Sequence, residues 1–175
     1  ADAVAMDGST LPYPPATEDL HHEIELVVAL AKGGANIPED QALEHIFGYT
    51  VGLDMTRRDL QGEAKSKGRP WDTGKGFDHS APIGALHPVA DIGHPTDTRI
   101  WLTVNGDSRQ DGNINQMIWN VPETISYLSS LFNLQAGDLI FTGTPEGVAA
   151  VGPGDRLEGA VEGIATLSVS YNSKS

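Results

Sequence analysis

The chain has 175 residues, enough for one domain around a single core, and its 39% hydrophobic and 20% charged residues are the balance of a folded protein rather than a disordered one. Eleven cations against 24 acids give a net charge of −13, which disfavours nucleic acid as a partner, and no apolar run approaches the ~20 residues of a membrane helix. With no cysteine and no signal-peptide pattern in Ala1-Asp2-Ala3-Val4, disulfide scaffolds and thiol chemistry are excluded and the expected compartment is the cytoplasm.

Residues 1–20 read as irregular and Pro-rich, and Glu23 to Leu30 as a strand. Ile37-Pro38-Glu39-Asp40 opens a short helix through about His45, with Pro and acids in the first turn, where the helix dipole favours them. Phe47 to Asp54 is a second strand, and residues 55–80, polar and basic, read as a long loop region. Asn105-Gly106, between Ile100–Val104 and Gln110 onward, fits a type I′ hairpin turn. Asn120-Val121-Pro122-Glu123 starts a helix in which Asn caps and Glu123 reaches back, with Ile125, Leu128, Leu131 and Phe132 as its core stripe. Asp138 to Thr142 is a strand, Thr142 to Gly147 a sharp turn, and Arg156 to Tyr171 alternates like one or two edge strands. The 20 Gly and 11 Pro follow no Gly-X-Y period and fit this mainly β organisation with a few short helices.

Glu23 and Glu25 are two apart in a strand, so they share a face with side chains roughly 6–7 Å apart. Paired carboxylates repel, and a divalent cation between them removes the conflict; the alternative is a solvent-facing edge with two harmless acids. Asp54, at the end of the second strand, adds a third carboxylate, and an all-oxygen set suits magnesium, manganese or calcium rather than zinc. His21 and His22 precede the pair, either as partners that orient a carboxylate or as surface and strand-entry residues. Arg57, Arg58, Lys65, Lys67, Arg69 and Lys75 form a basic island on an acidic chain, read as a pocket for a small anion or as a solvated loop. Lys75 stands between Gly74 and Gly76, which let a ligand approach the backbone closely, and Thr144 sits in a turn between Gly143 and Gly147.

The chain resembles the fumarylacetoacetate hydrolase family through five motifs in the family's order. These are Leu20-His-His-Glu-Ile-Glu-Leu26, Gly52-Leu-Asp-Met-Thr-Arg-Arg-Asp-Leu-Gln61, Lys67-Gly-Arg-Pro-Trp-Asp-Thr-Gly-Lys-Gly-Phe-Asp78, Val104-Asn-Gly106 and Asp138-Leu-Ile-Phe-Thr-Gly-Thr-Pro-Glu-Gly147. The resemblance implies an α+β, mainly β fold, a mixed β-roll paired into a homodimer. It implies that Glu23, Glu25 and Asp54 hold Mg²⁺ (with Mn²⁺ or Ca²⁺ as alternatives). It also implies that Arg58, Gln61, Lys75 and Thr144 contact a small anionic 2-oxo or dioxo acid, Lys75 acting in catalysis as a charge-binding group.

Residues 54–78 and 118–127 are most similar to fumarylpyruvate hydrolases of aromatic breakdown, with decarboxylases, hydratases and isomerases as alternatives. A non-catalytic protein that binds metal and dicarboxylate is a further alternative. Residues 1–175 are expected to form one catalytic domain. The family's Gly-Arg-Asn-Tyr segment, with its water-activating His and Glu, is not among them.

Overall fold

Seven consecutive buried residues make the strand Ile24–Leu30 the centre of the fold. Such a run, apolar on both faces except for Glu25, is stable only when covered on both sides. The computed structural model describes residues 2–173; Ala1, Lys174 and Ser175, part of the expected single domain, lie outside the described residues. Ile24–Leu30 pairs antiparallel with Ile46–Leu53 on one side and with Leu139–Phe141 on the other. Ala81–Ile83 and His87–Pro88 pair with Ile46–Leu53, and Val4–Met6 runs parallel to Ala81–Ile83, which completes a six-stranded mixed sheet.

A second sheet has five strands in the order Asp107–Asn113, Arg99–Val104, Arg156–Val161, Ala165–Tyr171, Thr10–Leu11. Arg99–Val104 and Ala165–Tyr171 alternate buried with more exposed positions, the pattern of a sheet with one face in the core. Its inward side chains, among them Leu102, Leu157, Leu167 and Val169, share one core with Ile24, Leu26 and Val28. The two layers come so close that a Cβ on Gly159 would stand 2.3 Å from the Ile24 Cδ1. A third, three-stranded sheet joins Ala150–Val151, Leu20–His21 and Thr56–Arg57. Among the described residues, no helix is long and apolar enough to cross a membrane.

The hairpin turn forms as its sequence predicts: Asn105 and Gly106 both have positive φ, 54° and 85°, as type I′ requires. The Val121–Leu131 helix carries the predicted capping box, in which Glu123 N–H donates to the Asn120 side chain and Asn120 N–H to the Glu123 carboxylate. Ile125 is fully buried, but Leu131 and Phe132 are exposed, because the helix ends at Leu131 and the chain leaves the core face there.

The expected short helix forms over Glu39–His45, as a 3₁₀ helix. Other elements differ from expectation. Residues 55–80 contain two helices, Arg58–Ser66 and Asp72–Lys75, where a loop is expected. The first is rich in good helix formers (Arg, Leu, Gln, Glu, Ala, Lys), and Gly68, with φ of 61°, follows its end. Only its Ala64 is buried, so no apolar stripe announces it. Residues 1–20 are less irregular than their prolines suggest, since Val4–Met6, Thr10–Leu11 and Leu20–His21 each join a sheet. Arg156–Val161 and Ala165–Tyr171 are both interior strands, not edges.

Candidate metal centre

Antiparallel pairing of two buried strands delivers the three acids to one place. Glu25 lies opposite Gly52. Glu23 stands just before its strand and Asp54 just after the other, and their main chains are tied by Asp54 N–H to Glu23 C=O at 2.9 Å. One carboxylate oxygen from each of Glu23, Glu25 and Asp54 lies within 4.8 Å of the others. Oxygen ligands about 2.0–2.6 Å from a common ion are separated by comparable distances, so this set fits Mg²⁺, Mn²⁺ or Ca²⁺.

Glu25 is 3% exposed, and burial, reinforced by the charges of Asp54 and Glu23, pushes its carboxyl up to about 8 despite the N–H it receives from Gly143. Burial also raises Asp54, against the pull of Lys75. Burial works the same way on Glu23, but Lys75 and Arg58 outweigh it and hold that carboxyl below its ordinary range. A pocket that strains to keep its acids ionised in this way has the chemistry of a cation site.

Two cations reach it. The Lys75 ammonium donates to Glu23 Oε2 at 2.8 Å, to Asp54 Oδ2 at 2.5 Å and to Thr56 Oγ1 at 2.8 Å. Burial alone would lower this amine, but Asp54 and Glu23 outweigh it and hold it above its ordinary value. Arg58 donates one nitrogen to Glu23 Oε1 at 2.5 Å and another to Gln61 Oε1 at 2.7 Å, which ties Gln61 to the cluster. The rest of the basic island disperses: Arg57 lies over the Phe77 ring, Lys67 and Arg69 pair with Glu63, and Lys65 is exposed.

The turn Thr142–Pro145 forms another wall. Gly143 N–H donates to Glu25 Oε2 at 2.7 Å, and Gly143 adopts φ of 100°, a conformation that favours glycine. The Thr144 hydroxyl donates to Ile24 C=O and accepts from Gln110 Nε2, both at 2.8 Å, so its proton is committed inside the protein. A cavity of about 600 Å³ opens beside this turn, bounded by Ile114, Met117, Trp119, Thr142 and Glu146 among others; none of the three acids lines it.

The structure thus brings together Glu23, Glu25, Asp54, Arg58, Gln61 and Lys75, and connects Thr144 to them through Gly143. Neither histidine orients a carboxylate of the cluster: His21 pairs with Asp19, and His22 with Gln110. Sequence reasoning missed Thr56 and Gln110. A lone Gln in a polar strand carries no signal of its burial or its partners.

The fumarylacetoacetate (FAA) hydrolase C-terminal family model matches residues 1–170. Over 163 residues the chain is 50% identical to the fumarylpyruvate hydrolase of Ralstonia sp, covering 93% of this chain and 84% of that protein. It is similar to the crystal structure of Pseudomonas aeruginosa fumarylpyruvate hydrolase in complex with Mn²⁺ and pyruvate, with a TM-score of 0.95 and 55% identity over 99% of this chain and 76% of that one. It is also 42% identical to the mitochondrial oxaloacetate tautomerase of Homo sapiens over 166 residues, which is 95% of this chain and 75% of that protein.

Proposed function

The chain belongs to the fumarylacetoacetate hydrolase family, and from that premise we propose that it is a metal-dependent hydrolase cleaving the C–C bond of a 2,4-dioxo acid, fumarylpyruvate, to fumarate and pyruvate. The observation that carries the reading is the convergence of Glu23, Glu25 and Asp54 within 4.8 Å, flanked by Lys75 and Arg58, in a chain 55% identical to a hydrolase whose structure holds Mn²⁺ and pyruvate.

Glu23, Glu25 and Asp54 hold the cation, taken to be Mg²⁺ or Mn²⁺, and when bound it supplies Lewis-acid stabilisation of the enolate charge that C–C cleavage releases. Lys75 and Arg58 keep positive charge at the mouth of the acid cluster, where the anionic oxygens of a dioxo acid need neutralising. Gln61 fixes the Arg58 guanidinium through their 2.7 Å hydrogen bond. Gly143 N–H holds Glu25 in place, and Thr144, its hydroxyl donating to Ile24 C=O, stands beside it in the turn read as contacting the substrate. His21 and His22 are held by Asp19 and Gln110 and are not assigned the water-activating role, since neither ring hydrogen-bonds to Glu23, Glu25 or Asp54. We read residues 1–175 as one catalytic domain, acting in the cytoplasm in the breakdown of aromatic compounds. The homodimer is part of the same proposal; exposed Ile118, Trp119, Tyr127, Leu131 and Phe132 are large apolar side chains of the kind a second copy covers.

The second reading is turnover of oxaloacetate, favoured by the 42% identity to an oxaloacetate tautomerase. Steady-state assays on fumarylpyruvate and oxaloacetate, with Mg²⁺ or Mn²⁺ and after chelation, separate the two. Metal-dependent release of pyruvate and fumarate from fumarylpyruvate is the expected result. Turnover of oxaloacetate alone assigns the tautomerase or decarboxylase class, and binding without turnover of either leaves a metal- and dicarboxylate-binding protein.

A further inference from the structure

Gln110 is 1% exposed, and both ends of its carboxamide are fully used. Its Oε1 accepts from Ile24 N–H at 3.1 Å and from His22 Nδ1 at 2.8 Å; its Nε2 donates to Pro145 C=O and to Thr144 Oγ1, each at 2.8 Å. Two of these partners allow only one polarity, since a main-chain N–H can only donate and a carbonyl can only accept. Ile24 and Pro145 therefore decide which way the amide faces. His22 must then carry its proton on Nδ1, and the Thr144 oxygen must accept, which sends the Thr144 proton to Ile24 C=O.

These partners belong to both walls of the site. Ile24 lies between Glu23 and Glu25, and Thr144 follows Gly143, whose N–H binds Glu25. Gln110 itself comes from the other sheet, on Asp107–Asn113, next to a register shift between Ser108 and Gln110. We propose that Gln110 is a positioning residue: its buried carboxamide clamps the strand carrying the acids to the turn carrying Gly143 and Thr144, and so fixes where that turn stands against the substrate. The inference rests on the functional reading above for the substrate and for its contact with the Thr142–Pro145 turn.

Gln110→Met keeps length and removes every donor and acceptor, and Gln110→Glu keeps the acceptors. Holoprotein is titrated with Mn²⁺ by electron paramagnetic resonance, Mn²⁺-loaded protein is titrated with pyruvate, and kcat and KM are measured on fumarylpyruvate. For Gln110→Met, folded by circular dichroism, the expected result is Mn²⁺ affinity within about threefold of the parent, with pyruvate affinity and kcat each lowered about tenfold, the scale of one net hydrogen bond. A folded Gln110→Met with pyruvate affinity and kcat within about twofold of the parent overturns the proposal, since a role in stability alone moves only the melting temperature.

If Gln110→Met does not fold, Gln110→Glu decides. Protonated, its acid can donate to Thr144 or Pro145; ionised, it cannot. Its pyruvate affinity, relative to the parent, should recover as pH falls, and a pH-independent ratio overturns the proposal. A parent that binds pyruvate but does not cleave fumarylpyruvate defeats the functional reading and leaves the pyruvate arm decisive for Gln110. A parent that binds neither overturns both.

Discussion

The Glu25 carboxylate and the Gly143 main-chain N–H meet at 2.7 Å across 118 residues of sequence. The bond holds one oxygen of a buried acid at a fixed point between a strand and a turn, and the acid's neighbours are two more carboxylates.

A cation that binds these acids in the folded state and not in the unfolded chain must stabilise the fold. At 100 times its dissociation constant the gain is about 2.7 kcal/mol, or a rise of several degrees in melting temperature for a chain of this size. Differential scanning fluorimetry with and without Mg²⁺ or Mn²⁺ should show that rise in the parent and not in Glu25→Ala. A parent indifferent to both ions removes the three-carboxylate centre.

Lys75 should act as a charge and not as a nucleophile. Its three hydrogen-bond partners, two of them carboxylates, hold the amine protonated, and a Schiff base needs the free amine. Borohydride treatment with pyruvate or oxaloacetate, followed by mass spectrometry, should leave Lys75 unmodified; an adduct there overturns the assignment. Lys75→Ala should lose both substrate affinity and turnover, while Lys75→Arg keeps part of the activity.

Asp59 gives a pH dependence of known sign. Its modest burial favours the neutral acid, but hydrogen bonds from the Thr17 hydroxyl and the N–H groups of Glu18 and Leu60 outweigh this and hold it below its ordinary value. A carboxyl lowered in the folded state contributes stability above its unfolded value, and that contribution is lost as pH falls through the folded one. Melting temperatures of the parent and Asp59→Asn should therefore converge in acid and separate towards neutrality. Curves that stay parallel across that range would show that Asp59 does not tie residues 17–18 to the Arg58–Ser66 helix.

Gly48 is a position where a single methyl should be poorly tolerated. A Cβ there would stand 2.1 Å from the His87 carbonyl oxygen, a main-chain atom that cannot turn aside. Gly48→Ala should cost about 1–3 kcal/mol by forcing Ile46–Leu53 away from His87–Pro88. Denaturant unfolding measures it, and a midpoint equal to the parent's would show that the two strands part more easily than their pairing suggests.

Much of the site is legible in the sequence because it rests on local rules. Glu23 and Glu25 announce themselves by period-two spacing, Asp54 by its place at a strand end, and Asn105-Gly106 by the positive φ that only such residues readily adopt. The helix Arg58–Ser66 escapes because its surface is almost wholly polar, and its Arg58 is positioned by Glu23, 35 residues away. The fate of the basic island is equally invisible in one dimension. Six cations cluster within 19 residues of sequence, yet only Arg58 and Lys75 face the acids. Gln110 is the extreme case, since each of its four bonds reaches at least 34 residues along the chain.

The parallel pairing of Thr10–Leu11 with Ser170–Tyr171 sets a timetable for folding. As the chain emerges from a ribosome, the strand Ile24–Leu30 meets Ile46–Leu53 early but waits for Leu139–Phe141, and Thr10 has no partner until Ser170 has been made. Loop closures this long place the fold among the slow, non-local topologies, whose rates fall well below those of helical bundles. Until the last strand docks, the nascent chain exposes unpaired edges and the apolar face of Ile24–Leu30, which makes this interval the one in which a chaperone has most to protect.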